Sequence, residues 1–299
     1  MEAAAILSQL CESGSVRSDP LPSGRNPAMT HQWIVTPITG TIGAELSGGR
    51  IGEPGFEGAS LLSLVEEHLL LVLRDQHLTH AEQVEVARAI GEPTPAHPVV
   101  PGHPDHPEIL VLDSATYGRN ARWHTDVTFV PAPPAASVLV GDSFPVAGGD
   151  TIWADLRTAY DRLSPALQGA IDQLDAVHRI APLAYWGEPF DTALKFDLAQ
   201  QLFDDAAKVP PVVHPMVRVH PSTGRKSLFI NPGFTSHVVG LSRIESDNLL
   251  RLLYEHSAQP EFQVRHRWRK GDVLIWDNRA TAHYAVDDYG DTERKMRRV

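Results

Sequence analysis

The two residues in this chain most suited to hold a metal are His124 and Asp126, set two apart in Arg122-Trp123-His124-Thr125-Asp126-Val127-Thr128-Phe129. Imidazole and carboxylate both bind divalent cations, and the flanking β-branched and aromatic residues favour a strand. On a strand, residues i and i+2 face the same way, so the two side chains would project together. A third ligand has to come from elsewhere. Among the other histidines, His283 stands in comparably distinctive surroundings, Trp276-Asp277-Asn278-Arg279-Ala280-Thr281-Ala282-His283. Two histidines and one carboxylate on one side of a metal leave three positions open, the arrangement of non-haem Fe(II) oxygenases. A His-x-Asp pair alone is more often a surface feature. The third ligand, with two arginines near the C-terminus, shifts the balance to a metal site.

Bulk properties narrow the classes available. The 299 residues are 42% apolar and 21% charged, with a formal net charge of −11. This supports a sizeable core and argues against nucleic acid or an anionic membrane as the main partner, since both call for basic patches. A few arginines in a pocket would still accept a small anionic substrate. The one cysteine, Cys11, excludes an internal disulfide and argues against a Cys-based zinc or iron–sulfur site. No apolar run approaches the ~18 residues of a membrane helix, and no secretory leader pattern is present. The expected location is cytoplasmic.

Several elements must position these residues. Residues 1–30, with Ser13-Gly14-Ser15 and Asp19-Pro20-Leu21-Pro22-Ser23-Gly24, have loop composition and read as a disordered extension in which Met29 is a candidate start. Residues 31–299 read as one domain, interrupted by an insert or lid around 182–210. Strands are expected at 33–35, 42–46, 70–74, 108–113, 136–140, 150–153, 213–219, 227–231, 262–268, 272–276 and 296–299. Capping boxes Thr79…Glu82 and Ser242…Glu245 predict helices reaching Ile90 and His256, and Ser164-Pro165 opens a third reaching Leu174. Many short strands with helices in the insertions predict a mainly β fold, a double-stranded β-helix or jelly roll, with ligands on inward-facing positions.

Four ordered motifs then match a known pattern. Trp123 to Phe129, Gly148-Gly149-Asp150-Thr151-Ile152-Trp153, Trp276-Asp277-Asn278-Arg279 through His283, and Arg294 with Arg298 together resemble the taurine dioxygenase family of Fe(II)- and 2-oxoglutarate-dependent oxygenases. The resemblance covers roughly 33–299, with further matches at His214-Pro215, Val219-His220-Pro221 and Asn231-Pro232-Gly233-Phe234. It implies His124, Asp126 and His283 as iron ligands, and Thr151 and Arg294 as the hold on the cosubstrate 2-oxoglutarate. It further implies Arg298, His97, Asn120 and Phe234 as substrate contacts, O2 as co-reactant, and a dimer or tetramer as the assembly. The implied reaction decarboxylates 2-oxoglutarate to succinate and CO2 and hydroxylates the carbon beside a sulfur-bearing group, which then leaves as sulfite or sulfate with an aldehyde. A planar guanidinium suits such carboxylate or sulfonate recognition. On a terminal strand Arg294, Met296 and Arg298 would share one face.

Two positions depart from the taurine-specific pattern. Val100 replaces the family tyrosine that contacts the taurine amine, and Arg119 stands before Asn120 where taurine-oxidising members carry an aspartate. A further aromatic pocket position aligns with Ala184, beside Tyr185 and Trp186. The expected substrate is therefore an alkyl sulfonate or alkyl sulfate ester in preference to taurine. The alternatives are the same chemistry on a non-sulfur carboxylate such as a phenoxyalkanoate, and a non-catalytic metal-binding sensor of a small acid. The remaining histidines, including His103, His106, His178, His214 and His220, read as structural or solvated.

Overall fold

The computed structural model describes residues 33–53, 56–95, 97–98, 100–117, 121–180, 204–205 and 207–299. The expectations for residues 1–30, for Arg119 and Asn120, for Ala184 to Trp186 and for most of the 182–210 insert lie outside the described residues. The strands are β1 (Ile34–Pro37), β2 (Ala44–Ser47), β3 (Leu70–Leu73), β4 (Leu110–Asp113), β5 (Ala136–Ser143), β6 (Thr151–Asp155), β7 (Asp175–His178) and β8 (Val212–Pro215), followed by β9 (Val217–Val219), β10 (Lys226–Leu228), β11 (Thr235–Val238), β12 (Gln263–His266), β13 (Val273–Asp277), β14 (Thr281–Ala285) and β15 (Lys295–Arg298). The helices are α1 (Gly58–His68), α2 (His80–Ile90), α3 (Ser114–Tyr117), α4 (Leu156–Asp161), α5 (Pro165–Ile171) and α6 (Arg243–Ser257).

A seven-stranded sheet runs in the order β1-β2-β3-β13-β5-β15-β4, and a smaller one in the order β12-β6-β14. Period-two alternation splits the large sheet between two cores. Leu70, Val72, Leu139, Leu274, Trp276 and Met296 point to one side, where they pack with Trp153 and Val264 of the small sheet. Leu71, Leu73, Val138, Val140, Val273 and Ile275 point to the other and pack against Leu61, Val65, Val86 and Ala87 of α1 and α2. That explains why β3 and β13 read as continuous apolar runs: both faces are covered. Two β-sheets closing on a shared core make the jelly roll, with α1 and α2 as an outer layer. A third core joins α4, α5 and α6 to Met216, Leu228, Ile230 and Val238. Among the described residues, no helix is long and apolar enough to cross a membrane.

Both capping boxes form as the sequence predicts, at Thr79 with Glu82 and at Ser242 with Glu245. The helix opened by Ser164 stops at Ile171, short of Leu174. The single strand expected over 213–219 is two. β8 pairs with β7, β9 pairs with β10, and Met216 between them is fully buried with its N–H donating to Leu174 O at 2.9 Å. Pro215 supplies no N–H to carry a ladder onward, so the break falls beside it. Five elements have no counterpart in the sequence reading: α3, α4, β7, β11 and β14. β14 contains His283 among alanines, which are weak strand formers and leave little periodic signal.

Candidate active site

His124 is not on a regular strand, contrary to the sequence expectation. It forms an isolated antiparallel bridge with His283, donating its N–H to His283 O at 2.9 Å and accepting from His283 N–H at 2.7 Å. The chain then turns, with Val127 at φ 54°, a left-handed conformation rare for a β-branched residue. The turn, and not strand periodicity, brings the Asp126 carboxylate beside the imidazoles. β14 is itself fixed by pairing with β6, where His283 lies opposite Trp153. Gly233 seats the first histidine from below: a Cβ there would stand 2.8 Å from His124 Cβ.

Asp126 Oδ1 lies 3.7 Å from His124 Nε2 and 3.8 Å from His283 Nε2. The three ligand atoms are within 4.8 Å of one another, the one group of metal-ligating side chains so gathered among the described residues. His124 Nδ1 sits 2.8 Å from Arg122 O, which fixes the tautomer with Nδ1–H donating and leaves an Nε2 lone pair for a metal. His283 Nδ1 is buried with no hydrogen-bond partner among the described residues. Packing against Trp276 and Trp153, at ring-centroid separations of 5.1 and 6.2 Å, orients that ring instead.

Electrostatics keeps the donors in ligating form. Burial pushes both imidazoles below the ordinary histidine range, His283 well below, with Arg298 adding to the effect, so both stay neutral. Burial alone would raise the Asp126 carboxyl, but Arg298 beside it holds it below the usual carboxylate range. Two neutral imidazoles and one carboxylate, buried together, match the donor set of an Fe(II) facial site, so these residues fit the metal their types suggest.

Arg294 and Thr151 meet at the edge of this centre. The Arg294 guanidinium donates to Gly149 O at 2.9 Å and Thr151 Oγ1 at 3.0 Å. Trp268 Nε1 donates to the same hydroxyl at 3.0 Å. A threonine hydroxyl accepts two bonds and donates one, so its hydrogen remains for a guest's oxygen. Burial lowers the Arg294 pKa, and among the described residues the side chain has no salt bridge to a carboxylate. A partly buried cation so placed favours an incoming anion.

On the other side lies a cavity of about 130 Å³, bounded by His97, Val100, Leu110, Val111, Leu112, Val127, Phe234 and Arg298, with His124 and Asp126 at one end. His97 Nδ1 accepts the Val100 N–H at 3.1 Å, so Nε2 carries its hydrogen. Burial, with Arg298 in support, pushes His97 down to about 4, so the ring is neutral. Arg298 pairs with the ligand carboxylate itself, its Nη1 on Asp126 Oδ1. Sequence reasoning had it facing a guest anion alone. It serves the metal ligand as well, because Asp126 turns toward β15.

The sequence reading thus finds His97, Val100, His124, Asp126, Phe234, His283 and Arg298 gathered at one place, with Thr151 and Arg294 alongside. It missed Leu110, Val111, Leu112 and Val127 as walls, and Ser137, whose hydroxyl donates to Asp126 Oδ2 at 3.3 Å. The alternating leucines of Leu110-Val111-Leu112 are a period-two signal that would have placed both on one face. His178, His214 and His220 are buried and hydrogen-bonded, to Thr128 Oγ1 at 2.9 Å, Thr128 O at 2.9 Å and Asp277 Oδ2 at 2.8 Å, as structural residues should be.

A jelly roll carrying a 2-His-1-carboxylate centre, with a partly buried arginine and a buried threonine beside it, defines a non-haem Fe(II) oxygenase. Comparison with known proteins agrees: residues 34–299 match the taurine catabolism dioxygenase TauD, TfdA family, and the chain belongs to that family. It is 39% identical over 279 residues to an alkylsulfatase of Acinetobacter baylyi, covering 92% of this chain and 86% of that one. It is also 39% identical over 269 residues to an alpha-ketoglutarate-dependent sulfate ester dioxygenase of Pseudomonas putida, covering 89% of this chain and 88% of the relative. Among solved structures, a taurine dioxygenase from Burkholderia xenovorans superposes with a TM-score of 0.72 at 36% identity, covering 89% of each chain. The protein is an Fe(II)- and 2-oxoglutarate-dependent dioxygenase that uses O2.

Proposed function

We propose that this dioxygenase oxidises alkyl sulfate esters or alkyl sulfonates at the carbon next to the sulfur-bearing group, in preference to taurine. The observation that carries this is the cavity beside the triad. Its anion-binding end has Arg298 and His97, while Val100, Leu110, Leu112, Val127 and Phe234 make the remainder apolar. Among the described residues lining the cavity, a taurine ammonium would find no carboxylate other than the metal ligand Asp126, whereas an alkyl chain gains about 0.8 kcal/mol for each CH2 it buries. The similarity to an alkylsulfatase and a sulfate ester dioxygenase supports the same choice.

Each residue then has a task. His124, Asp126 and His283 would hold the Fe(II). Thr151 and Arg294 take the distal carboxylate of 2-oxoglutarate, Arg294 by a charge-assisted fork. Arg298 and His97 receive the sulfate or sulfonate oxygens, and the apolar walls keep the target carbon dry and in place. When bound, the iron and its cosubstrate supply an oxidising equivalent from O2, with loss of CO2 and succinate, that replaces a C–H by C–OH. For a sulfate ester the hydroxylated carbon carries two oxygens and collapses to an aldehyde and hydrogen sulfate. The reading includes residues 31–299 as one domain and a dimer or tetramer, which light scattering measures directly.

With purified enzyme, Fe(II), ascorbate, 2-oxoglutarate and O2, hexyl sulfate or hexanesulfonate should show a kcat/KM at least about tenfold above that of taurine, a difference of ~1.4 kcal/mol. Sulfate or sulfite should be released one for one with succinate. Taurine turned over as well as the alkyl substrates, or succinate stimulated by a phenoxyalkanoate and none of these, would overturn the assignment.

A further inference from the structure

Asn278 is fully buried, and its side-chain amide is engaged entirely by backbone groups. Oδ1 accepts the Asp126 N–H at 2.9 Å, while Nδ2 donates to Asp126 O at 2.9 Å and to Pro134 O at 3.1 Å. A carboxamide carries the same donor and acceptor as a peptide, so these two bonds to Asp126 reproduce what an antiparallel strand neighbour would provide. No strand is there. The Asp126 carbonyl belongs to the peptide leading into Val127, whose φ of 54° is one that β-branched residues seldom adopt.

Asn278 is itself held firmly. Its N–H donates to Ala135 O at 2.9 Å. The preceding Asp277 is buried and accepts from His220 Nε2 at 2.8 Å and from Arg279 Nη2 at 2.7 Å, and Arg279 also reaches Glu66 Oε1 at 2.9 Å. The other stitches between the two ligand-bearing segments, the His124–His283 bridge and the bond from Thr125 Oγ1 to Thr281 O at 2.7 Å, act before Asp126.

We propose that Asn278 is the positioning residue for the carboxylate ligand: by holding both peptide groups of Asp126 it sets where the carboxylate points and turns Val127 into the cavity wall. This rests on His124, Asp126 and His283 being the metal centre. Asn278→Asp would keep an acceptor for the Asp126 N–H but set an oxygen against two carbonyl oxygens. Asn278→Ala removes every bond. Both substitutions act on the backbone of Asp126 and on no metal-ligating atom.

The test is titration of Co(II) into the metal-free full-length chain, followed by calorimetry and by the d–d absorption band. Thr281→Val, which removes the Thr281 Oγ1 bond to Asp277 O in the same region, serves as the comparator for lost stability. Folding of each variant is checked by circular dichroism and gel filtration, and Asn278→Asp carries the test if the alanine variant does not fold. We expect Co(II) affinity to fall about ten- to hundredfold in the Asn278 variants, with a changed d–d band, and Thr281→Val to keep the wild-type band. A folded Asn278→Asp with wild-type affinity and band overturns the proposal, and so does the same change in Thr281→Val. Failure of the wild-type chain to bind Co(II) one to one would instead overturn the metal-centre reading.

Discussion

Arg298 is a buried guanidinium and Arg294 a partly buried one near the same centre, and they differ in what they already hold. Arg298 is paired with Asp126, whereas among the described residues the Arg294 guanidinium hydrogen-bonds neutral groups, the Gly149 carbonyl and the Thr151 hydroxyl. Replacing Arg294 therefore removes a hold on the guest and no internal ion pair. Arg294→Gln should raise the KM for 2-oxoglutarate by about ten- to hundredfold, matching ~1.5–3 kcal/mol for a hydrogen bond to a charged group. Its melting temperature should stay level or rise slightly, because a partly buried charge with no carboxylate partner among the described residues is lost. Unchanged KM in steady-state kinetics would remove Arg294 from the cosubstrate site. At this scale the sequence was most legible: ligand chemistry depends on residue type, so His124, Asp126 and His283 could be named from their chemistry and surroundings, and Thr151 and Arg294 from the family resemblance. Asn278 stood in a quoted motif without a role, since nothing in the string says that its amide reaches the backbone of Asp126.

The elements around the site act by close approach. The Asn231-Pro232-Gly233-Phe234 turn presses its glycine against His124, with Gly233 N–H donating to Trp123 O at 3.1 Å. Space, not backbone conformation, requires glycine there, because the nearest atom to an added Cβ is the β-carbon of the metal ligand at 2.8 Å. Gly233→Ala should displace His124 and weaken Fe(II) or Co(II) binding about tenfold, as misaligned ligands commonly do, while circular dichroism stays native. Wild-type metal affinity would show that the turn yields more easily than the ring. Element prediction succeeded where local signals were strong, at both capping boxes and along the apolar runs of β3 and β13. It failed at 122–129, where β-branched residues promised a strand and the chain turns at Val127. It also failed at β14, where alanines hid a strand that only pairing with β6 creates.

Across the whole molecule, buried neutral histidines couple folding to acid. Burial, with His214 and Arg218 in support, pushes His178 down to about 3. Unfolded, the same imidazole takes up a proton near pH 6.5. Between those values the unfolded chain binds one more proton, so stability is full above about 6.5 and falls as pH drops towards 3, by up to ~1.4 kcal/mol per pH unit. His178→Asn should make urea-denaturation stability less steep by about one proton across that window, and an unchanged slope would show that His178 is protonated in the folded state. The sequence by itself determined the chemistry on offer: which side chains can bind iron, which can clamp an anion, and that alternating and continuous apolar strands must enclose a core. Only the tertiary structure decided how that chemistry is aimed. Three ligands from a bridge, a turn and a short strand meet within 4.8 Å. Long-range backbone pairing and packing, which no local pattern encodes, bring residues more than a hundred positions apart to one point.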